Sequence, residues 1–373
     1  MTNAEKHYFT LLRAAIWDTP ANIDGPIDWK EVLRIAKHHA TQTLICGTAS
    51  LMEGDNKPKP EALAWMQNAM RNNLVFHLRL KRAMLTAVKM LRDNGIDPVV
   101  LKGFTLAMYY PNPELRQFGD IDLYVGLNQF HQACEVLRHM EGSYNWGKER
   151  VEKGRHYNIE FGDFAIETHH SSADIFDPKE KEVYDRLEND GLVQNAKHLN
   201  FEGTDITVPS DEFAVFFTFF HAWHHFMTTG VGWRQLCDLA LILHACHGHL
   251  DLNKLEGFIN DMKLTTPWQT FGQLIVEHLA LPQAEMPFYN GKSRRKAEKL
   301  YRRIMEEGNF NRQSSFKQHR PKHNKLLRKA HAFLGIFIDA FHLATIFPDV
   351  AFREMRTELK LGFGKMHSHN KTH

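Results

Sequence analysis

The chain has 373 residues, 43% of them hydrophobic, and a formal net charge of +2 at pH 7. This is enough apolar content for substantial cores in two or three domains. The four cysteines, Cys46, Cys134, Cys237 and Cys246, lack Cys-x-x-Cys spacing, which excludes a zinc ribbon and a disulfide framework. Asn3, Glu5, Lys6 and His7 stand where a secretory signal would be apolar. The longest apolar-looking stretch, 332–347, contains Asp339 and His342 and falls short of the ~20 residues of a membrane span. The expectation is a soluble cytoplasmic protein, with 332–347 a buried helix.

Residues 3–92 show helical periodicity, broken by Asp24-Gly25-Pro26 and by the turn residues from Gly54 to Pro60. Glu61 to Arg92 reads as one long helix, with Trp65, Met70, Leu74, His77, Leu78, Lys81 and Leu85 near a recurring face, ended by Asn94-Gly95.

The character then changes. Pro98-Val99-Val100-Leu101 reads as a short buried strand, closed by Lys102-Gly103 and followed by the helical Phe104 to Tyr110. In such a strand, glycine turn and helix, backbone N–H groups can approach an anion and Lys102 adds a cation, so the unit suits a triphosphate. Next comes Arg116-Gln117-Phe118-Gly119-Asp120-Ile121-Asp122-Leu123-Tyr124-Val125. In a strand, residues i and i+2 share a face, so Asp120 and Asp122 project together while Ile121, Leu123 and Val125 enter the sheet interior. Two adjacent carboxylates repel unless a cation neutralises them, and oxygen ligands suit Mg²⁺. Taken alone, Asp-x-Asp also fits a solvated strand edge. Asn128 to Met140 reads as a helix behind this strand. Arg155 to Phe161 and Asp163 to Thr168 then form two alternating runs joined at Gly162-Asp163, a hairpin that brings Glu167 towards the first two carboxylates.

The chain here resembles the nucleotidyltransferase superfamily, whose fold is shared with DNA polymerase β, and most of all a bacterial branch usually described only as nucleotidyltransferase family proteins. The resemblance rests on Leu101-Lys102-Gly103, on Arg116 followed by Gly119-Asp120-Ile121-Asp122-Leu123, and on Ile166-Glu167-Thr168-His169. It covers about residues 96–170, and extends more weakly to His221 to His225 and to Arg234 and Asp238. The usual Gly-Ser or Gly-Gly phosphate turn is here Lys102-Gly103 followed by Phe104. The resemblance implies that Asp120, Asp122 and Glu167 hold Mg²⁺ or Mn²⁺ and form the catalytic set. An acceptor hydroxyl then attacks the α-phosphate of an NTP, such as ATP, in line. Lys102, Gly103, Arg116 and Gly119 become the candidates for holding phosphates, although Arg116 also suits an ion pair with Asp120 or Glu114 and Lys102 a solvated strand end. His169 orients Glu167, contacts substrate or is simply structural, and His170 follows it.

His198 to Val208 reads as a further hairpin around Glu202-Gly203, and Pro209-Ser210-Asp211-Glu212 as a helix start. From there the pattern is helical. The run 211–227 is dense in aromatics and histidines, which means burial on most sides. His221 and His225 sit at i and i+4, a spacing that binds zinc but equally serves packing and hydrogen bonding. Arg234 and Asp238 are an ordinary helix pair or turn towards the site. Residues 292–329 hold fourteen Lys or Arg against three acidic residues, an excess that attracts a polyanion such as RNA or forms a solvated face, with Tyr301, Phe310 and Phe316 irregularly spaced inside it. The histidine-containing tail 366–373 reads as frayed.

The expected architecture is α+β: a helical region 1–95, a small mixed-sheet nucleotidyltransferase domain 96–208 and a helical domain 209–373. The expected activity is metal-dependent transfer of an NMP from an NTP to a hydroxyl of a protein, a small molecule or RNA. The alternative is an inactive nucleotide- or RNA-binding module of the same fold.

Overall fold

The computed structural model describes residues 1–142, 156–175, 177–309 and 325–353. Phe310, Phe316 and the loop of the basic segment, together with the tail at 366–373, lie outside the described residues.

Four helices open the chain: α1 (Asn3–Trp17), α2 (Trp29–His38), α3 (Gln42–Ser50) and α4 (Pro60–Asp93). Thr2 starts α1 with a capping box, its hydroxyl accepting from the Glu5 N–H while the Glu5 carboxylate accepts from the Thr2 N–H. Pro60 opens α4, where its missing N–H costs nothing. The long helix is present, but its face is rotated from the expected one. Met66, His77, Leu80, Ala83, Met84, Ala87, Val88 and Leu91 are buried, whereas Trp65, Leu74 and Leu78 are exposed. Leu80, Ala83, Met84, Ala87, Val88 and Leu91 of that side join the apolar cluster formed with the sheet.

The sheet consists of β1 (Val99–Val100), β2 (Asp120–Tyr124), β3 (His156–Glu160), β4 (Ala165–His169), β5 (Lys197–Phe201) and β6 (Thr204–Val208), in the order β3-β4-β2-β1-β6-β5. β2 and β4 run parallel; β3 with β4, β1 with β2, and β5 with β6 are antiparallel; β1 and β6 are parallel. Both expected hairpins, β3–β4 and β5–β6, are therefore present. α5 (Phe104–Ala107) follows β1, α6 (Gly126–Arg138) follows β2, and α7 (Pro178–Asn189) lies between β4 and β5.

One face of the sheet buries Ile121, Leu123, Tyr157, Ile159, Ile166 and Ile206 against α4 and against Phe130, Ala133 and Leu137 of α6. The other face looks towards α8 (Asp211–Thr228) and α9 (Trp233–Cys246), with α10 (Leu252–Asp261), α11 (Thr265–Leu279), α12 (Arg294–Glu307) and α13 (Lys325–Ala344) beyond. Ser210 caps α8, its hydroxyl accepting from the Phe213 N–H. A single apolar cluster joins Tyr8, Phe9 and Leu12 of α1 to Phe216 and Phe219 of α8, Trp233 of α9 and Trp268 of α11. All four cysteines are free and buried. The helix expected over 332–347 is present as α13, but among the described side chains Leu334, Phe337 and Phe341 are exposed, whereas Leu343, Ile346 and Phe347 are buried. On α12, Arg302 and Arg303 pair with Glu298 and Glu307, so part of the basic charge is met within the helix. Among the described residues no helix is long and apolar enough to cross a membrane.

Phe219 is fully buried, edge-on to Trp268 and Phe271 at 5.1 and 5.6 Å. Phe219→Ala is expected to lower the unfolding free energy by about 3–5 kcal/mol. Trp65→Ala, on the outer side of α4, is expected to change it by about 0.5 kcal/mol or less. Urea unfolding followed by fluorescence and circular dichroism checks both.

Candidate active site

The site is built at the edge where β1 ends and the antiparallel β2 begins. The Leu101 N–H donates to the Asp122 carbonyl at 3.1 Å, holding the chain beside β2 as it leaves β1. Gly103 then turns it with φ at 78°, and a Cβ there would stand 3.3 Å from the Phe118 ring, so the turn favours glycine on both backbone and steric grounds. The turn delivers the Lys102 ammonium to the aspartates, Nζ lying 2.7 Å from Asp120 Oδ2 and 2.9 Å from Asp122 Oδ2. In the β2–β4 ladder Asp122 is registered with Glu167. One oxygen from each of Asp120, Asp122 and Glu167 lies within 4.8 Å of the others, an all-oxygen set that fits a divalent cation. His169, two residues beyond Glu167 on the same face, brings Nε2 to 2.9 Å from Asp122 Oδ1 and 3.4 Å from Glu167 Oε2. Gly119 immediately precedes β2 at the cleft, with open space where a side chain would be. His170 stacks edge-on against Phe130, behind the carboxylates.

The charges hold one another in their ionised forms. Burial works against the Lys102 charge, but Asp120, Asp122 and Glu167 outweigh it and raise the pKa above the usual lysine value. Burial likewise pushes Asp120 up, yet Lys102 holds its carboxyl well below the usual range. For Glu167, burial is overcome by hydrogen bonding to His169 and by Lys102, and the pKa falls. His169 is buried, and its hydrogen bonds to Asp122 and Glu167 favour the protonated ring, which raises its pKa.

Arg116 meets a different neighbour from the expected phosphate. It is 1% exposed, and its guanidinium forms a bidentate pair with Asp238 of α9, Nε to Oδ1 at 2.6 Å and Nη2 to Oδ2 at 2.8 Å. Nη1 donates to the Gly103 carbonyl at 3.2 Å, and the Tyr110 hydroxyl donates to Asp238 Oδ1 at 2.7 Å. The planar fork of Arg116 matches a carboxylate, and a cation this deeply buried needs such a partner. Arg116 thus fastens the loop before β2, and the glycine turn, to α9. Nothing in local spacing announces this pair, since Arg116 and Asp238 are far apart in the chain. Arg234, read either as an ordinary helix partner of Asp238 or as turned towards the site, forms the helix pair, its Nη1 lying 3.5 Å from Asp238 Oδ2. It lines the cleft opposite Lys102.

The cleft between the carboxylate edge of the sheet and the α8–α9 wall has a volume of about 730 Å³. Its far wall carries His221 and His225, whose Nε2 atoms are 3.0 Å apart, so one ring donates to the other. Burial, then Lys102, drives the pKa of both down, that of His225 to about 3. The pair therefore carries no charge at neutral pH. Among the described residues these two histidines belong to no group of three metal donors. The cleft also takes in His156, at the start of β3, opposite His169 in the β3–β4 ladder. His156 was not singled out in the sequence, although alternation along β3 puts it on the carboxylate face.

A mixed sheet that presents strand-borne Asp-x-Asp beside a third carboxylate, with a Lys-Gly turn at the same edge and helical flanks, defines a nucleotidyltransferase-like protein. The chain belongs to the family described as uncharacterised nucleotidyltransferase, whose model matches residues 25–280. Among solved structures it is similar to an antigenic nucleotidyltransferase-like protein from Paracoccidioides brasiliensis. The identity is 14%, the match covers 54% of this chain and 91% of that chain, and the TM-score is 0.31. No curated protein matches the chain.

Asp238→Ala is expected to cost about 3–5 kcal/mol at neutral pH, because it strands the Arg116 guanidinium in the interior. Arg116 and its neighbours hold the Asp238 pKa below the usual 3.8 against the effect of burial. The contribution of the carboxylate is therefore present above about pH 4 and lost as pH falls through the lower folded-state value. The gap between wild type and variant should narrow at pH 3, as read by urea unfolding at pH 7, 5 and 3.

Proposed function

We propose that the protein transfers a nucleoside monophosphate from an NTP to a hydroxyl acceptor, with Asp120, Asp122 and Glu167 as the residues that hold divalent metal, Mg²⁺ or Mn²⁺. The observation that carries this reading is the convergence of the three carboxylates at one edge of the sheet, open to a cleft that also presents Lys102 and Arg234. A metal bound there supplies positive charge against the phosphates and the developing pyrophosphate. Lys102 occupies the position between the aspartates where positive charge is required, and in the loaded enzyme its ammonium is free to turn to the phosphates. Arg234, which shares Asp238 with Arg116 and lines the cleft, is the arginine assigned to the triphosphate. Arg116 acts as a positioning residue for the glycine turn. Glu167 faces the acceptor hydroxyl, whose proton passes to solvent as the oxygen to α-phosphorus bond forms, the bond to the bridging oxygen breaks, and pyrophosphate leaves. His169 holds Asp122 and Glu167 in register.

The acceptor is a hydroxyl of a protein side chain, a small molecule or an RNA end; the basic segment 292–329 supplies the charge an RNA acceptor would need. A second reading, a module that binds nucleotide without catalysis, is favoured by one observation: Lys102 already neutralises both aspartates.

With α-labelled ATP, GTP, CTP and UTP, a cell extract and Mg²⁺ or Mn²⁺, the wild type should label a discrete product. Asp120→Ala/Asp122→Ala should reduce labelling at least about a thousandfold. Nucleotide binding without label from any NTP or metal would sink the catalytic reading in favour of the binding module. Once the NTP is known, Arg234→Ala should raise its KM about ten- to a hundredfold, the loss of a charge-assisted hydrogen bond. Equilibrium unfolding should show this variant folded, with some loss of stability from the broken pair with Asp238; a KM left unchanged would remove Arg234 from the phosphate site.

A further inference from the structure

Three donors of a different kind meet beside the carboxylates. In the antiparallel β3–β4 ladder His156 stands opposite His169, and Glu167 lies two residues before His169 on the same face. One donor atom from each of His156, Glu167 and His169 lies within 4.8 Å of the others, and the two imidazole centroids are 5.2 Å apart. All three line the cleft, so an ion can reach them from solvent. The side-chain oxygen of Asn158, the residue registered with Glu167, is buried and has no hydrogen-bond partner among the described residues; the same is true of His169 Nδ1. Buried polar atoms of native proteins are normally satisfied, and these two border one donor cluster.

We infer that His156, Glu167 and His169 form a second cation site, built for a transition-metal dication of the Mn²⁺ to Zn²⁺ series rather than Mg²⁺. The donor set decides the class: imidazole nitrogen suits Mn²⁺, Co²⁺ and Zn²⁺, whereas Mg²⁺ keeps to oxygen and water. Two histidines and a glutamate with an open side facing the cleft are also the donor set of a three-ligand zinc site. The contact between His169 Nε2 and the Asp122 carboxylate fixes the ring as carboxylates fix ligating histidines elsewhere. Glu167 belongs to both groups of donors and links this site to the all-oxygen set of Asp120 and Asp122.

The test is Co²⁺ titration of the full chain under saturating Mg²⁺, which occupies the oxygen set, followed by calorimetry and by visible ligand-field absorption. Every sample carries His367→Asn, His369→Asn and His373→Asn, so that the tail cannot supply imidazole. Wild-type site residues should bind one Co²⁺ per chain with visible bands. His156→Ala should weaken that binding at least about tenfold, His156→Asp should restore part of it, and Asp120→Asn should leave it in place. Thermal melting followed by circular dichroism establishes that each variant is folded, and His156→Asp reads the site should the alanine variant not fold. The inference is overturned by the absence of Co²⁺ binding, by unchanged affinity in both His156 variants, or by equal loss in Asp120→Asn, which would assign the ion to the three carboxylates. No nucleotide is present, so this result and that of the transfer assay are read separately.

Discussion

Three carboxylates with oxygens within 4.8 Å of one another cannot all stay ionised without positive charge among them, and the architecture around the cleft answers that requirement. Lys102 meets two of them directly, and His169 meets the other side of Asp122 and reaches Glu167. Each group alone would be driven towards its neutral form by burial; together they are driven the other way. The Gly103 turn has a physical purpose in this scheme, because it aims Lys102 at the aspartates across the end of β2. In the proposed reaction the same arrangement keeps the carboxylates ionised and ready for metal while no nucleotide is bound.

The second constraint is mechanical. The carboxylates belong to the sheet, whereas the opposite wall of the cleft belongs to α8 and α9. The buried Arg116–Asp238 pair, with the Tyr110 hydroxyl as its third member, ties the loop leading into β2 to α9. Such a pair adds little net stability over well-packed apolar residues, since both ions must be desolvated, but removing one partner is costly. Its effect is therefore specificity of arrangement: the loop, the glycine turn and α9 keep one relative position. Apolar burial reinforces this, because one core runs from α1 through α8 and α9 to α11.

How much of this was legible depended on the range of the interaction that determines it. Asp-x-Asp on a strand, the glycine turn and the hairpin carrying Glu167 are written in alternation and turn chemistry, so the meeting of Asp120, Asp122 and Glu167 followed from period-two geometry and one parallel pairing. His156 obeyed the same alternation, but a single histidine at a strand start carries no signal until the register with His169 is known. The face of α4 was misjudged because Trp65, Leu74 and Leu78 look like core, and only the presence of the sheet decides that the alanine-containing side turns inward. The partner of Arg116 was out of reach for the same reason: Asp238 has Arg234 at helix spacing, and nothing local says that a distant arginine joins it.

The electrostatics of the α8–α9 wall complete the picture. The α8–α9 wall of the cleft carries two half-buried histidines, His221 and His225, whose neutral forms are favoured by burial and by Lys102. Protonating them would add cations a few ångströms apart beside Lys102 and Arg234, and their partial burial weakens the screening of that repulsion. The imidazoles satisfy each other through one hydrogen bond instead, and His225 reaches Thr229 with its other nitrogen. Fixed positive charge on that side is carried by Arg234, which shares the Asp238 carboxylate with Arg116. The cleft is acidic on the sheet side and carries cations at Lys102 and Arg234, with a neutral polar surface between them. That division suits a substrate whose phosphates must be gripped at one end while its remaining groups meet hydrogen-bonding but uncharged side chains.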